Sequence, residues 1–115
     1  MAQQQSKARA AIYIRTAAHN EAAAAEQREE CMQYIERKGY HYAGEFADVG
    51  TSGLNNVRSA LDALTIEAHI GAIDKIVVIS MSRLSRSSKE AQAFCNDLRE
   101  SCGVNIETVE GSVLL

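Results

Sequence analysis

The chain reads as an α/β domain with three layers: a mainly parallel four- to five-stranded sheet with helices on both faces. Three observations carry that reading. Short apolar runs alternate with longer helix-forming stretches in the order β-α-β-α-β-α-β, the pattern of parallel strands joined by right-handed helical crossovers. The run Lys75-Ile76-Val77-Val78-Ile79-Ser80 has the continuous β-branched character of a strand buried on both faces. Gly39, Gly71 and Gly103 each follow a helix-forming stretch, where a helix is expected to stop.

The elements follow in order. Residues 1–7 are polar and Gln-rich and are expected to form a flexible N-terminal tail. Residues 8–16 contain Ala-Ile-Tyr-Ile between two arginines, a first strand, and 17–20 form a loop. Residues 21–38 are rich in Ala, Glu and Gln, and Ala24, Cys31, Tyr34 and Ile35 recur at helical spacing on one face. Residues 40–47 alternate partially and form a second strand. The two glycines and turn-forming side chains of Asp48-Val49-Gly50-Thr51-Ser52-Gly53 mark a loop. A second helix covers 57–70 with Leu61, Leu64 and Ala68 inward, followed by the third strand at 75–80. A third helix spans 89–102, packing through Ala93, Phe94, Leu98 and Cys102, and the fourth strand is 104–109.

At 115 residues the chain holds one domain, spanning 8–115, and has no room for a second. The net charge of −3 gives no global nucleic-acid footprint, so anion binding has to come from a local cluster. Cys31, Cys95 and Cys102 lack metal-ligand spacing and read as reduced, mostly buried thiols of a cytoplasmic protein. No run is long enough for a membrane span and no signal-peptide pattern occurs. No cofactor or metal is expected. His19, His41 and His69 are scattered and read as surface or loop residues.

The loops leaving the first three strands, at 17–20, 48–57 and 81–87, all lie at the carboxyl edge of the sheet, where open α/β folds place their sites. Arg15, Arg58, Arg83 and Arg86 converge on that edge, with Ser52 and Ser82 nearby. Arginine offers a planar fork of N–H donors suited to a phosphate. Other small α/β domains fit poorly. Response-regulator receivers need clustered carboxylates at the strand ends to hold Mg²⁺, whereas these ends carry Arg and Ser. No Gly-Lys-Ser/Thr phosphate loop, G-x-G-x-x-G or Cys-x-x-Cys is present.

Five segments in order also resemble one known family: Tyr13-Ile14-Arg15-Thr16-Ala17, Glu26-Gln27-Arg28, Asp48 to Gly53, Arg58-Ser59-Ala60-Leu61 and Ser82-Arg83-Leu84-Ser85-Arg86-Ser87. Together they are similar to the N-terminal catalytic domain of serine site-specific recombinases, the resolvase/invertase family, over residues 10–109. The resemblance implies DNA strand cleavage and exchange, the chemistry of site-specific recombination and of DNA integration by mobile elements. By the same resemblance Arg15, Arg58, Arg83 and Arg86 grip the scissile phosphate and stabilise its charge, while Gln27, Ser52 and Ser82 lie at the substrate.

The resemblance also exposes departures. The family's nucleophilic serine, two residues after the first arginine, is Ala17 here, and a methyl group cannot attack phosphorus. Val57 and Ser82 stand where acidic residues are usual. Thr16 cannot substitute, since its hydroxyl is expected on the opposite face of the strand. The expected protein is therefore a recombinase-type catalytic domain without a competent nucleophile. The alternative is a degenerate regulatory module that pairs with recombinase subunits as a homo- or hetero-oligomer. Family members continue into a long dimer-forming helix and a DNA-binding domain; neither is expected within 8–115, so DNA binding by this stretch alone is expected to be weak.

Overall fold

The computed structural model describes residues 7–16, 20–50, 59–85 and 87–110. Most of the expected tail, residues 1–6, lies outside them. Four strands, β1 (Arg9–Thr16), β2 (His41–Val49), β3 (Lys75–Val78) and β4 (Asn105–Thr108), form a sheet in the order β2-β1-β3-β4. All three pairings are parallel. The helices are α1 (Glu21–Lys38), α2 (Ser59–His69) and α3 (Ser88–Cys102). The α/β class and the order of elements match the sequence reading.

Alternation along β1 sorts the core into two layers. Ala10, Ile12 and Ile14 join Val77 and Ile79 beneath Ala24, Cys31, Tyr34 and Ile35 of α1. Ala11 and Tyr13 join Ile76 and Val78 on the other face, against Leu64 and Ala68 of α2 and Ala91, Cys95 and Leu98 of α3. A strand with both pleats buried has no polar face to show, which is why β1 and β3 read as near-continuous apolar runs.

Local chemistry sets the helix ends. Asn20 caps α1, its side chain accepting from Ala23 N at 3.0 Å. Ser87 caps α3 by accepting from Glu90 N at 3.2 Å. Gly39 closes α1 at φ +75° and Gly103 closes α3 at φ +71°, a left-handed conformation that side chains resist.

Several boundaries differ from expectation. β2 runs on through Asp48 and Val49, so Asp48 is a strand residue rather than the start of a loop. β3 ends at Val78, and a 3₁₀ turn, Met81–Arg83, follows. Ala93 is exposed on α3; Ala91 and Cys95 take the inward positions with Leu98, because the inward stripe of the folded helix runs 91, 95, 98. The three cysteines are free, as expected, with Cys31 and Cys95 buried.

The register of β2 contains one further feature. Ala10 pairs with Tyr42 but Ile12 pairs with Glu45, so β2 carries one extra residue there. Gly44, at φ +123°, lies in this bulge. An extra residue reverses which face every later side chain takes. Phe46 and Asp48 therefore sit opposite Tyr13 and Arg15, and Phe46 packs into the layer of α2 and α3.

Candidate functional site

The strand order reverses direction at β1: β2 lies to one side, β3 and β4 to the other. At such a switch point successive crossovers leave on opposite faces, and a crevice opens between the strands at their carboxyl ends. Here the ladder between β1 and β3 stops at the pair Ile12 and Val77. Beyond it the two strands part, and the crevice is bounded by Arg15 at the end of β1 and Arg83 in the turn after β3.

Parallel strands send the N–H and C=O of alternate residues to the same side. Thr16 faces β2, its carbonyl accepting from Gly50 N at 2.9 Å. Arg15 faces the split, where no strand remains to pair with it, and side chains replace the missing partner. Gln27, buried on α1, accepts from Arg15 N at 3.4 Å and donates from Nε2 to Arg15 O at 3.1 Å. Arg83 Nη1 donates to the same carbonyl at 3.3 Å. In return Arg15 Nε donates to Arg83 O at 3.2 Å.

Two cationic side chains are thus drawn together by main-chain carbonyls. Among the described residues the ion pairs are Arg9–Asp74, Arg28–Glu45 and Lys75–Glu107, and none of them neutralises Arg83. Arg83 Nε is buried and has no hydrogen-bond partner. A buried N–H without an acceptor costs about 1–3 kcal/mol. Beside it Ser82 is exposed, its Oγ 2.8 Å from Ser80 Oγ. A shallow cleft of about 180 Å³ lies against Met81, Ser82, Ser85, Ser88 and Gln92.

The structure therefore brings together Arg15, Gln27 and Arg83, with Ser82 on the adjoining turn. Ala17, Ser52, Arg58 and Arg86 lie outside the described residues. Thr16 is 5% exposed and its Oγ1 accepts from Gly50 N at 3.3 Å. His41 and His69 are exposed, and His19 lies outside the described residues. No group of three or more metal-ligating side chains occurs among the described residues, nor does any of their helices have the length and apolarity to cross a membrane.

Sequence reasoning missed one residue at this edge, Asp48. It is 6% exposed. Its Oδ2 accepts from Tyr13 OH at 2.7 Å and from Leu61 N at 3.1 Å, and its Oδ1 accepts from Ala60 N at 2.9 Å. The carboxylate caps the first turn of α2 from another element. An N-cap is normally sought immediately before a helix, and Asp48 precedes α2 by more than ten positions, so local sequence carried no signal for it.

A doubly wound parallel domain with two arginines at its switch point defines a class of α/β proteins. Comparison with known proteins narrows the class. The family model described as resolvase, N terminal domain, matches residues 10–113, and the chain belongs to that family. The N-terminal catalytic domain of TP901-1 integrase superposes with a TM-score of 0.82 at 26% identity, covering 91% of this chain and 80% of that one. The C-terminal catalytic domain of ISC1926 TnpA, an IS607-like serine recombinase, gives 0.76 at 28% identity, covering 89% and 70%. A resolvase family site-specific recombinase from Streptococcus pneumoniae gives 0.78 over 93% and 75%; at 18% identity it speaks for the fold alone. Comparison with curated protein sequences gives no match.

Proposed function

We propose that residues 8–115 act as one resolvase-type catalytic domain that grips a DNA phosphate and, carrying Ala17, does not cleave it. The observation that supports this most is the arginine pair at the switch point, with the buried N–H of Arg83 lacking an acceptor. Arg15 and Arg83 would bind the non-bridging oxygens of a phosphodiester, with Arg58 and Arg86 completing the cationic set and Ser52 and Ser82 hydrogen-bonding beside it. Gln27 would hold the main chain of Arg15 in place. In phosphoryl transfer such groups stabilise the charge spread over the equatorial oxygens, but bond cleavage also needs a nucleophile. Position 17 offers only a methyl group.

DNA is the partner in this reading, and recombinase subunits are the partners for assembly. The experiment is covalent capture on supercoiled plasmid DNA, comparing the chain with its Ala17→Ser variant, each also fused to a DNA-binding segment. Ala17→Ser is expected to nick the plasmid and form a protein–DNA adduct, while the parent does neither. If neither protein reacts or binds, the arginines no longer serve DNA. A regulatory role exerted through a protein partner is then the better reading.

A further inference from the structure

We infer that the amino edge of the sheet carries an anion site of its own, a seat for a phosphate oxyanion built from Lys7, Arg9 and His41. The inference goes beyond the crevice and does not depend on it. Arg9 begins β1 and Arg15 lies near its end, about 20 Å further along the strand. A cavity of about 590 Å³ opens at the amino edge against Lys7, Arg9, His41 and Asp74. Lys7 and Arg9 outweigh the one acid, so the cavity is positive on balance.

Strand register assembles the groups. Arg9 pairs with His41 across the β1–β2 ladder, and residues level with each other on neighbouring strands project to the same side of a sheet. Asp74 stands on the other flank of Arg9, its N–H donating to Arg9 O at 2.8 Å. Its carboxylate then fixes the arginine. Oδ2 accepts from Arg9 N at 2.7 Å and from Arg9 Nε at 3.1 Å, and Oδ1 accepts from Arg9 Nη2 at 3.0 Å. A two-point fork of this kind sets the plane of the guanidinium. The anchor uses Nε and Nη2 and leaves Nη1 without an acceptor among the described residues. The Arg9 side chain is 43% exposed.

A guanidinium already held by one carboxylate loses little freedom when a second oxyanion meets its remaining donors. Lys7 and His41 are exposed, and neither side chain has a hydrogen bond or ion pair among the described residues. Lys7 supplies a point charge, and an imidazole has an N–H to donate in either protonation state. A carboxylate has only two oxygens to offer, which the free edge of Arg9 alone would occupy. A tetrahedral phosphate has further oxygens for Lys7 and His41, so phosphate is the chemistry that uses the whole set. It could arrive on a DNA backbone or on a free phosphate-bearing molecule.

The test is an amide-resolved NMR titration of the full chain, with inorganic phosphate and a short DNA duplex as separate probes. The amide signals of Arg9 and His41 are expected to move saturably with inorganic phosphate and to stay in place with chloride at matched ionic strength. The double variant Lys7→Gln, His41→Gln leaves the Arg9–Asp74 anchor intact. It is expected to weaken the phosphate response about tenfold, the scale of a charge-assisted hydrogen bond. A duplex that moves the same signals in the parent, and less in the double variant, assigns the seat to a DNA phosphate. A response to inorganic phosphate alone assigns it to a free phosphate-bearing molecule. Equal shifts with chloride, a double variant that responds like the parent, or no response to either probe overturns the inference. The signal of Arg83 reports the crevice separately, so failure there leaves this result standing.

Discussion

Arg15 and Arg83 hold each other by the main chain: the guanidinium of each donates to the carbonyl of the other, at 3.2 and 3.3 Å. The exchange places two positive charges at the point where β1 and β3 separate. It uses only part of each donor set and fixes the direction of the rest. Lysine cannot reproduce it, since an ammonium lacks the planar fork.

Arg83→Lys is therefore expected to weaken binding of a short DNA duplex about tenfold, the scale of one charge-assisted hydrogen bond. Arg99→Lys, on the exposed side of α3, serves as the control and is expected to leave affinity unchanged. Calorimetric titration at fixed salt reads both. Equal affinities for parent and Arg83→Lys would remove Arg83 from the binding site.

Gln27→Ala removes an acceptor from Arg15 N and a donor from Arg15 O. Loss of these two partly buried hydrogen bonds is expected to cost about 1–3 kcal/mol, seen as a lower urea midpoint with unchanged slope. Gln27→Glu keeps an acceptor for the N–H and loses the donor to the carbonyl, so its cost is expected to be smaller. A Gln27→Ala protein as stable as the parent would show that water replaces the side chain.

Glu107 sits under three donors: Tyr34 OH at 2.7 Å, Tyr40 OH at 2.9 Å and Lys75 Nζ at 3.2 Å. Burial pushes its carboxyl up, but the donors together outweigh it and leave the group below the ordinary glutamate value. A lowered folded-state pKa means stability that is present above the unfolded value of about 4.3 and lost as pH falls through the lowered one. Tyr40 has the opposite sign: burial, then the bond to Glu107, push it up to about 12. Its contribution is complete below the unfolded value of about 10 and is lost between there and about 12. Urea midpoints are expected to fall at both edges in the parent. Glu107→Gln is expected to lose about 1–3 kcal/mol at neutral pH and to flatten the acid edge. An acid edge identical in the two proteins would assign it to other carboxylates.

Cys31 is buried on the sheet-facing side of α1, and its thiol is pushed up to about 12, first by burial and then by Glu30 and Glu45. The thiolate is the reactive form. Alkylation at pH 8 is expected to label Cys102, which is partly exposed, well before Cys31, which should react only on unfolding. Mass spectrometry of timed samples checks the order. Prompt labelling of Cys31 would mean that α1 lifts from the sheet.

The sequence by itself determined the class of fold, because the signals for it are local. Strands buried on both faces need continuous apolar runs, as at Ile76 to Ile79, and helices need one inward stripe, as at Ala24, Cys31, Tyr34 and Ile35. It also marked Arg15 and Arg83 as residues of one sheet edge, since parallel strands alternating with helices put every strand-to-helix loop at the same end. The family followed from ordered motifs of the same kind. The tertiary structure alone decided how those residues engage. The pairing of Arg15 with Arg83 links positions 68 apart in sequence and arises where the strand ladder gives out. Asp48 read as a loop residue because it heads a segment with two glycines and turn-forming side chains, whereas in the fold it is a residue of β2 whose facing is set by the one-residue register shift at the bulge. Its donors lie on β1 and α2, and only the packed sheet and helices bring them within hydrogen-bonding reach of one carboxylate.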